Sequence, residues 1–273
     1  MKKIISTLAC GLMIIMLTAC GGGESEPPKK EFIEEDQIAD MYTSPSSYIG
    51  KYITMKGKVF TEPETSGSTT VFQMWGDVEK SERNTVVVFN NEEFDLDVET
   101  DMYVEITGYV EGEFEGENAF GTTITAPQIR VESIQELSYI DAVSPTIEAI
   151  DVNEAKESNG VTVTLQKIEF AENETRVYLS VENQSSYDYS FYSFNSKIIQ
   201  GDKQYTEETN FDAEYPEIET EISSGVKEEG IIAFPSMNID SLKFICEGYS
   251  DNYELDQDTF TFEVEIESDS SAE

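Results

Sequence analysis

Short segments in which apolar and polar residues alternate recur along this 273-residue chain, and they constrain its fold more than any other feature. Successive side chains of a β-strand point to opposite faces, so strict alternation indicates a strand with one buried face. In residues 102–110, for example, Val104 and Ile106 alternate with Tyr103, Glu105 and Thr107. Turn-forming residues separate such segments. We therefore expect an all-β protein.

The first half of the chain predicts one short helix followed by five strands. The helix is expected over residues 34–42, where Ile38, Met41 and Tyr42 share one face and Pro45 follows. The predicted strands cover residues 52–60, 69–75, 85–89, 102–110 and 124–134. Five strands of this length fit one small, strongly bent barrel.

Two of these strand segments carry a resemblance to a known fold. Residues 48–59 and 102–110, with Gly57 and Gly108 in mid-strand, resemble an OB-fold, specifically the bacterial family related to anticodon-binding OB domains. A glycine within a strand is typical of the sharp bends that such barrels need. The resemblance covers residues 33–137 and implies a small, five-stranded OB-like barrel, but it carries almost no information about a ligand.

The second half of the chain predicts a further series of about seven strands, a number typical of an immunoglobulin-like β-sandwich. Residues 159–165, 181–185 and 191–194 resemble the telokin-like immunoglobulin domain of many Gram-positive surface lipoproteins. The resemblance covers residues 146–267 and implies a sandwich fold, while most members of this family have no known function. The predicted strands include residues 160–170, 176–182, 187–194, 230–234, 241–247 and 259–266.

The amino-terminal residues have the features of a lipoprotein signal peptide. Two lysines precede an apolar run over residues 4–17, which as a helix is roughly 21 Å long, too short for a ~30 Å hydrocarbon core. The sequence LTACG at residues 17–21 resembles the lipobox of bacterial lipoproteins. The resemblance implies that diacylglycerol is attached to the sulfur of Cys20 and that residues 1–19 are removed. The alternative is an ordinary secretory signal with a chance cysteine.

Composition predicts the connecting segments. Residues 20–32 are rich in Gly, Pro and charged residues, which indicates a flexible tether after the lipidated cysteine. Residues 138–145 are expected to be a linker between the barrel and the sandwich, and residues 268–273 a disordered acidic tail. The chain is therefore expected at the extracytoplasmic face of a cell membrane, lipid-anchored, on a Gram-positive cell surface.

Acidic side chains greatly outnumber basic ones in this chain. It contains 56 Asp and Glu residues but 17 Lys and Arg, which gives a formal net charge of −39. Such a charge favours solubility through self-repulsion, and the alternative is that it attracts cations or basic partners. Under both interpretations polyanions are repelled, so we expect no nucleic-acid partner.

Trp75 is the candidate ligand-binding residue of the predicted barrel. OB-folds bind ligands across their second and third strands and the adjoining loops, and Phe72, Gln73 and Trp75 would lie on or beside that surface. An acidic groove would repel single-stranded nucleic acid and leave an oligosaccharide or a cationic peptide as the ligand. The alternative is that Trp75 packs within the barrel. The predicted loop after the fourth strand carries Glu111, Glu113, Glu115 and Glu117.

A second candidate surface is the aromatic run of residues 187–194 in the predicted sandwich. Alternation places three rings on one side, and the phase then shifts at Phe191 and Tyr192, as it would at a bulge. Core packing accounts for most of these rings, and tyrosines left outside the core would form a contact patch. The rings are those of Tyr187, Tyr189, Phe191, Tyr192 and Phe194.

The residue types present argue against most catalytic chemistry. The chain has no histidine, which excludes imidazole-dependent triads and zinc sites built from His and Cys. After processing only Cys246 remains as a free thiol, and its apolar strand context predicts a buried thiol rather than a nucleophile. Ser224 and Lys227 have the Ser-x-x-Lys spacing of penicillin-interacting enzymes, but Gly225 favours a turn over the required helix.

We therefore expect a non-enzymatic lipoprotein that binds a protein, a peptide or an envelope glycan, without a cofactor or metal ion. One alternative is a carboxylate-dependent hydrolase of wall polymers, for which acidic pairs are abundant but uninformative. Another is a calcium-binding protein, although the spacing of the acidic segment before the last strand is not that of an EF-hand and favours a solvated loop. That segment contains Asp251, Asn252, Glu254, Asp256 and Asp258 around Tyr253.

Overall fold

A computed structural model describes residues 30–94, 96–117 and 123–266 of the chain. Strands make up more than half of this part and its helices are short, which confirms the predicted all-β class. It forms two compact units that divide between Ser138 and Tyr139. None of its helices combines the length and apolar character needed to span a membrane. Cys20, the predicted signal peptide, the tether up to residue 29 and the acidic tail lie outside the described residues.

The first unit begins with the predicted short helix. A 3₁₀ turn (Glu35–Gln37) leads directly into α1 (Ile38–Thr43). Met41 is fully buried, and Ile38 and Tyr42 pack against the same apolar core, so the predicted face of the helix is the one that docks. A second 3₁₀ turn begins at Pro45 and carries the chain to the first strand.

Five strands of the first unit close into a ring. β1 pairs with both β3 and β5, while β4 pairs with β6 in the parallel direction, so the ring order is β1-β3-β4-β6-β5. This ring is the predicted OB-like barrel, and the three-residue β2 is added at the far end of β3. The strands are β1 (Tyr52–Val59), β2 (Glu64–Ser66), β3 (Thr69–Asp77), β4 (Glu82–Asn90), β5 (Tyr103–Glu117) and β6 (Thr123–Leu137).

The ring closes where β1 passes from β5 to β3, next to Gly57. Lys58 and Val59 pair with β3, while residues 52–58 pair with β5, so Lys58 pairs with both neighbours. A Cβ atom at Gly57 would lie 2.7 Å from Sδ of Met74 and 2.8 Å from the carbonyl oxygen of Trp75. Non-bonded atoms do not approach this closely, so the absence of a side chain at Gly57 allows β1 and β3 to come this close together.

The core of the barrel follows the predicted alternation. Val104, Ile106 and Val110 of β5 have no exposed surface, while Glu105, Thr107 and Tyr109 on the other face are partly exposed. Phe72 and Phe89 meet edge to face inside the ring, with centroids 6.2 Å apart. Burial of these apolar side chains supplies most of the driving force for closing the barrel.

The second unit is a two-sheet sandwich, as predicted. One sheet has the order β14-β9-β8-β7, and the other has the order β12-β11-β15-β10-β13 with β16 paired to β15. The strands are β7 (Thr146–Ser158), β8 (Val161–Ala171), β9 (Glu174–Asn183), β10 (Tyr189–Phe191), β11 (Lys197–Gln200), β12 (Lys203–Thr206), β13 (Glu221–Ile222), β14 (Lys227–Pro235), β15 (Leu242–Ser250) and β16 (Asp258–Val264). A four-residue helix, α2 (Tyr139–Ala142), precedes them.

Aromatic and aliphatic side chains from both sheets fill the interior of the sandwich. Phe244 lies at its centre, within 6.2 Å of Phe234 and 6.1 Å of Phe262 between ring centroids. Cys246 is also fully buried, and this burial raises the pKa of its thiol well above the usual range. The cysteine is thus the small buried residue that its strand context predicted, and it is protonated at neutral pH.

The strand order of the sandwich differs from that of antibody constant domains. Three consecutive strands, β7, β8 and β9, form a meander within one sheet, whereas in antibody constant domains the third strand lies in the opposite sheet. The sequence patterns did not predict β7. It is an edge strand of largely exposed, charged residues, and Ile150 and Val152 are the partly buried apolar residues that it packs against the core.

Candidate functional site

Trp75, the predicted ligand-binding residue, lies on the outer face of the barrel. The residues of β3 alternate between buried and half-buried, and Trp75 belongs to the half-buried set. Its indole ring stacks on the ring of Phe60, with centroids 3.9 Å apart and planes inclined by 14°. Trp75 therefore faces away from the barrel core as one member of a flat aromatic pair.

The two neighbours predicted at the same surface take different positions. Phe72 is only 1% exposed and lies in the core, so its predicted place on or beside the binding surface is corrected. It is separated from Trp75 by three positions, and an odd separation puts two strand residues on opposite faces. Gln73 shares the outer face with Trp75 and accepts a 2.9 Å hydrogen bond from the side-chain amide of Asn84.

The glutamates predicted in an acidic loop belong to a strand instead. β5 continues to Glu117 with β6 as its partner, because these glutamates occupy every second position and so match the strand period. The carboxylate of Glu111 accepts hydrogen bonds from the guanidinium of Arg130, the shortest being 2.8 Å. Glu113 accepts a 2.7 Å hydrogen bond from the hydroxyl of Ser46.

Three aromatic rings line a shallow, open depression on the surface of the sandwich. Tyr192 and Phe194 follow β10, Tyr249 lies in β15, and Asn195 completes the wall of a space of about 390 Å³. The ring of Tyr192 is 5.3 Å from that of Phe194 and 5.8 Å from that of Tyr249, with planes inclined by 51° and 62° respectively. We call these four residues the aromatic trough.

The local sequence explains why these rings remain outside the core. Tyr189 and Phe191 face inward and have no exposed surface. Tyr192 and Phe194 lie on the opposite side of the chain from Phe191, and the chain after Phe191 forms a 3₁₀ turn (Ser193–Asn195) instead of the predicted bulge. Phe194 is consequently 61% exposed, and Tyr249 is 40% exposed at the end of its strand. Two residues of the aromatic run and Tyr249, which sequence reasoning missed, thus form an exposed aromatic surface.

Acidic side chains dominate the sheet face around the aromatic trough. Glu247 lies two positions before Tyr249 in β15 and therefore shares its face, and Asp251 follows the strand. Glu221 is in register with Ser190, which is itself opposite Tyr249. Lys197 supplies a positive charge on this face, and its amine lies 3.9 Å from the carboxylate of Glu247. The three carboxylates leave the surroundings of the trough with a net negative charge.

A buried ionic cluster in the same unit is built for stability rather than for binding. Arg176 is fully buried, with its guanidinium 3.1 Å from Glu169 and 2.7 Å from Glu174. It also donates to the carbonyl oxygen of Ser144 and the hydroxyl of Thr146, at 2.9 Å and 2.7 Å. The cluster thereby fastens Ser144 and the first residue of β7 to β8 and β9, and each nitrogen of the guanidinium donates a hydrogen bond within it.

The catalytic motif considered in the sequence is not assembled. The hydroxyl of Ser224 donates to the carbonyl oxygen of Ser185, and the amine of Lys227 lies 2.6 Å from Glu229. Gly225 between them has a φ of 82°, which only a turn conformation provides. The serine and lysine therefore face different partners, as the predicted turn implies.

The acidic segment before the last strand is an exposed loop. Asp258 is buried apart from the other acidic residues, where it accepts hydrogen bonds from Ser158 and Asn159. The side chain of Asn252 accepts a 3.2 Å bond from the backbone amide of Glu254, which shapes a local turn. In the described part of the chain, no three Cys, Asp or Glu residues are grouped so as to hold a metal ion.

Comparison with known proteins adds little to this geometry. No protein-family model matches the chain, and no curated protein matches it. The crystal structure of a functionally unknown protein from Listeria monocytogenes EGD-e is similar to part of it, covering 48% of this chain and 94% of that chain. The sequence identity is 9% and the TM-score is 0.36, values too low to transfer a property from one protein to the other.

Proposed function

We propose that this protein is a lipid-anchored, extracytoplasmic binding module without enzymatic activity, whose partner is a protein, a peptide or an envelope glycan. The observation that carries the binding role is the aromatic trough, where Phe194 and Tyr249 are 61% and 40% exposed beside a concavity. Clustered exposed rings supply a large contact area and lose little conformational entropy when they bind. The Trp75–Phe60 pair is the proposed contact site of the barrel.

Site-specific photo-crosslinking in cells tests the binding role. A photoreactive phenylalanine analogue at position 194 of the whole chain is expected to form a discrete covalent adduct on irradiation. The same analogue at position 211, where Phe211 is 88% exposed outside the trough, is the matched control. The adduct is expected to disappear in a Tyr249→Ala background. No adduct at position 194, or the same adducts at both positions, would contradict the proposed role.

The anchoring part of the proposal depends on the lipobox at Cys20. The Cys20→Ala variant is expected to leave the membrane fraction, because two acyl chains provide a stable anchor that the variant lacks. Cys10→Ala, which changes a cysteine within the predicted leader, is the matched control and is expected to remain membrane-bound. Mass spectrometry of the native amino-terminal peptide should show a diacylglycerol adduct on sulfur. An unmodified Cys20 in membrane-bound protein would refute the anchor.

A further inference from the structure

The chemistry of the aromatic trough indicates one class of partner, and this inference rests on the proposed binding role. We infer that the trough binds an extended, basic, proline-containing peptide segment in the polyproline II conformation. Three properties of the described residues support this assignment: the angles between the rings, the polar groups beside them, and the sign of the surrounding charge.

The ring angles favour proline over a sugar. Tyr192 is inclined by 51° to Phe194 and by 62° to Tyr249, so the three rings meet at angles and do not form one flat platform. Aromatic-lined grooves of this kind receive the prolines of polyproline II segments, which are preformed and therefore lose little entropy on binding. A sugar ring packs best on a flat aromatic face, and the rings of the trough do not present one.

The polar groups of the trough suit an exposed peptide backbone. A polyproline II segment makes no internal hydrogen bonds, so its carbonyl oxygens require donors from the partner. The hydroxyls of Tyr192 and Tyr249 and the side-chain amide of Asn195 are donors at the trough. Among the described residues, none of these three side chains has a hydrogen-bond partner, so all three remain available to a ligand.

The charge around the trough selects a basic segment. Glu221, Glu247 and Asp251 lie on or beside the same sheet face, while Lys197 contributes one positive charge there. The formal charge of the whole chain is −39. Electrostatic complementarity therefore attracts arginine or lysine residues that flank the prolines and repels an acidic segment of equal length. The attraction at this exposed surface is expected to weaken as salt is added.

The test uses a fluorescently labelled peptide of repeated Arg-Pro-Pro triplets and the whole chain, with fluorescence anisotropy as the readout. We expect saturable binding that weakens with added sodium chloride. Phe194→Ala and Tyr249→Ala should each reduce affinity about tenfold or more, as loss of an aromatic anchor does. Phe211→Ala, which removes an exposed ring elsewhere in the same unit, should leave affinity unchanged. Melting curves should show that each variant remains folded.

Control ligands distinguish the other occupants. A peptide with alanine in place of proline and one with glutamate in place of arginine are both expected to bind much more weakly. Equal binding of the alanine peptide, or Phe194→Ala affinity equal to that of the unmodified chain, would overturn the inference. Saturation of the trough by a chitin tetrasaccharide without peptide binding would also overturn it. If the photo-crosslink at position 194 forms while the peptide fails to bind, the proposed function stands and only this inference is lost.

Discussion

Arg130 and Arg176 make the same kind of ion pair in different surroundings. The side chain of Arg130 is 32% exposed and pairs with Glu111, whereas that of Arg176 has no exposed surface and pairs with two glutamates. Ion pairs that water can still reach contribute less, because water solvates both charges. Removing one partner of a buried pair leaves an uncompensated charge in a poorly solvated site, so the cost is much larger.

We therefore predict very different effects of the same substitution at the two arginines. Arg176→Met should lower the free energy of unfolding by about 3–5 kcal/mol, because Glu169 and Glu174 lose their shared cation. Arg130→Met should lower it by less than about 1 kcal/mol. Urea denaturation followed by circular dichroism measures both values. Similar small losses for the two variants would show that the buried cluster is not a major source of stability.

The stacked pair at Trp75 gives a spectroscopic prediction. The chain contains one tryptophan, so its fluorescence reports on this position alone. Phe60→Leu removes the ring that covers one side of the indole, and the emission maximum should move to longer wavelength because water reaches the ring. Phe32→Leu, which removes a different exposed ring that contacts Tyr52, is the control and should leave the spectrum unchanged. An unshifted spectrum for Phe60→Leu would contradict the stacked geometry.

At the scale of single strands, close backbone approach determines where a side chain is tolerated. Gly57 and Gly112 both lie within strands of the barrel and neither has a positive φ. A Cβ at Gly57 would meet Met74 and the carbonyl oxygen of Trp75, whereas a Cβ at Gly112 would meet nothing within 4 Å. The two positions therefore form a matched pair for testing the strand crossing.

We predict that Gly57→Ala destabilises the barrel and that Gly112→Ala does not. The first change forces β1 and β3 apart and should lower the free energy of unfolding by about 1–3 kcal/mol, as overpacking does elsewhere. The second should fall within about 0.5 kcal/mol of the unmodified chain. Thermal unfolding monitored at the single tryptophan provides the comparison. Equal stability of the two variants would mean that the crossing is looser than the distances at Gly57 indicate.

Two buried carboxylates of β8 and β9 give the sandwich a defined pH dependence. Burial alone would raise the pKa of Glu169 and of Glu174, but hydrogen bonds outweigh it, and both pKa values lie below the usual 4.5. The donors to Glu169 include Lys167, Tyr178 and Thr146. A carboxylate with a lower pKa when folded takes up a proton more readily when unfolded. The stabilisation that this carboxylate adds to the free energy of unfolding is therefore complete above pH 4.5 and is lost as the pH falls through the folded pKa.

The expected result is a melting temperature of the sandwich that decreases progressively below pH 4.5. Glu169→Gln should reduce the steepness of this decrease, because glutamine has no proton to gain. Glu148→Gln changes an exposed residue of β7 and should preserve the full slope. Calorimetry across the acidic range measures the three slopes. A Glu169→Gln slope as steep as that of the unmodified chain would assign the acid sensitivity to other groups.

On the scale of the whole molecule, the dominant property is the charge of −39. Mutual repulsion of so many carboxylates opposes the compact state, and added salt screens it within about 10 Å at 0.1 M. We predict that sodium chloride raises the melting temperature by a few degrees. Calcium and magnesium chloride at equal concentration should have equal effects, because screening depends on charge alone. A further increase specific to calcium would support the calcium-binding alternative, and a decrease with salt would contradict the repulsion.

Much of the fold was already determined by the sequence. Alternation fixed which face of β5 is buried, and the same reasoning assigned Cys246 to the core and the short helix to the segment before the barrel. These features are local: a strand with one apolar face has a single way of burying it, whichever strand becomes its neighbour. β7 was not predicted, because it is an edge strand whose exposed positions carry charged residues. Its sequence therefore lacks the regular alternation of apolar and polar residues from which strands are predicted.

The aromatic trough and the buried ionic cluster form only through tertiary contacts between distant parts of the chain. Tyr249 is 55 positions beyond Phe194, and only the pairing of β15 with β10 places its ring beside Tyr192. Likewise Arg176 and Ser144 meet because the segment before β7 returns to the β8–β9 hairpin. Alternation specifies which way a side chain points along its own strand, but it contains no information about which strands become neighbours. Which strands pair depends on the packing of the whole core. The residues that make up the aromatic trough and the buried ionic cluster are therefore determined by the tertiary structure.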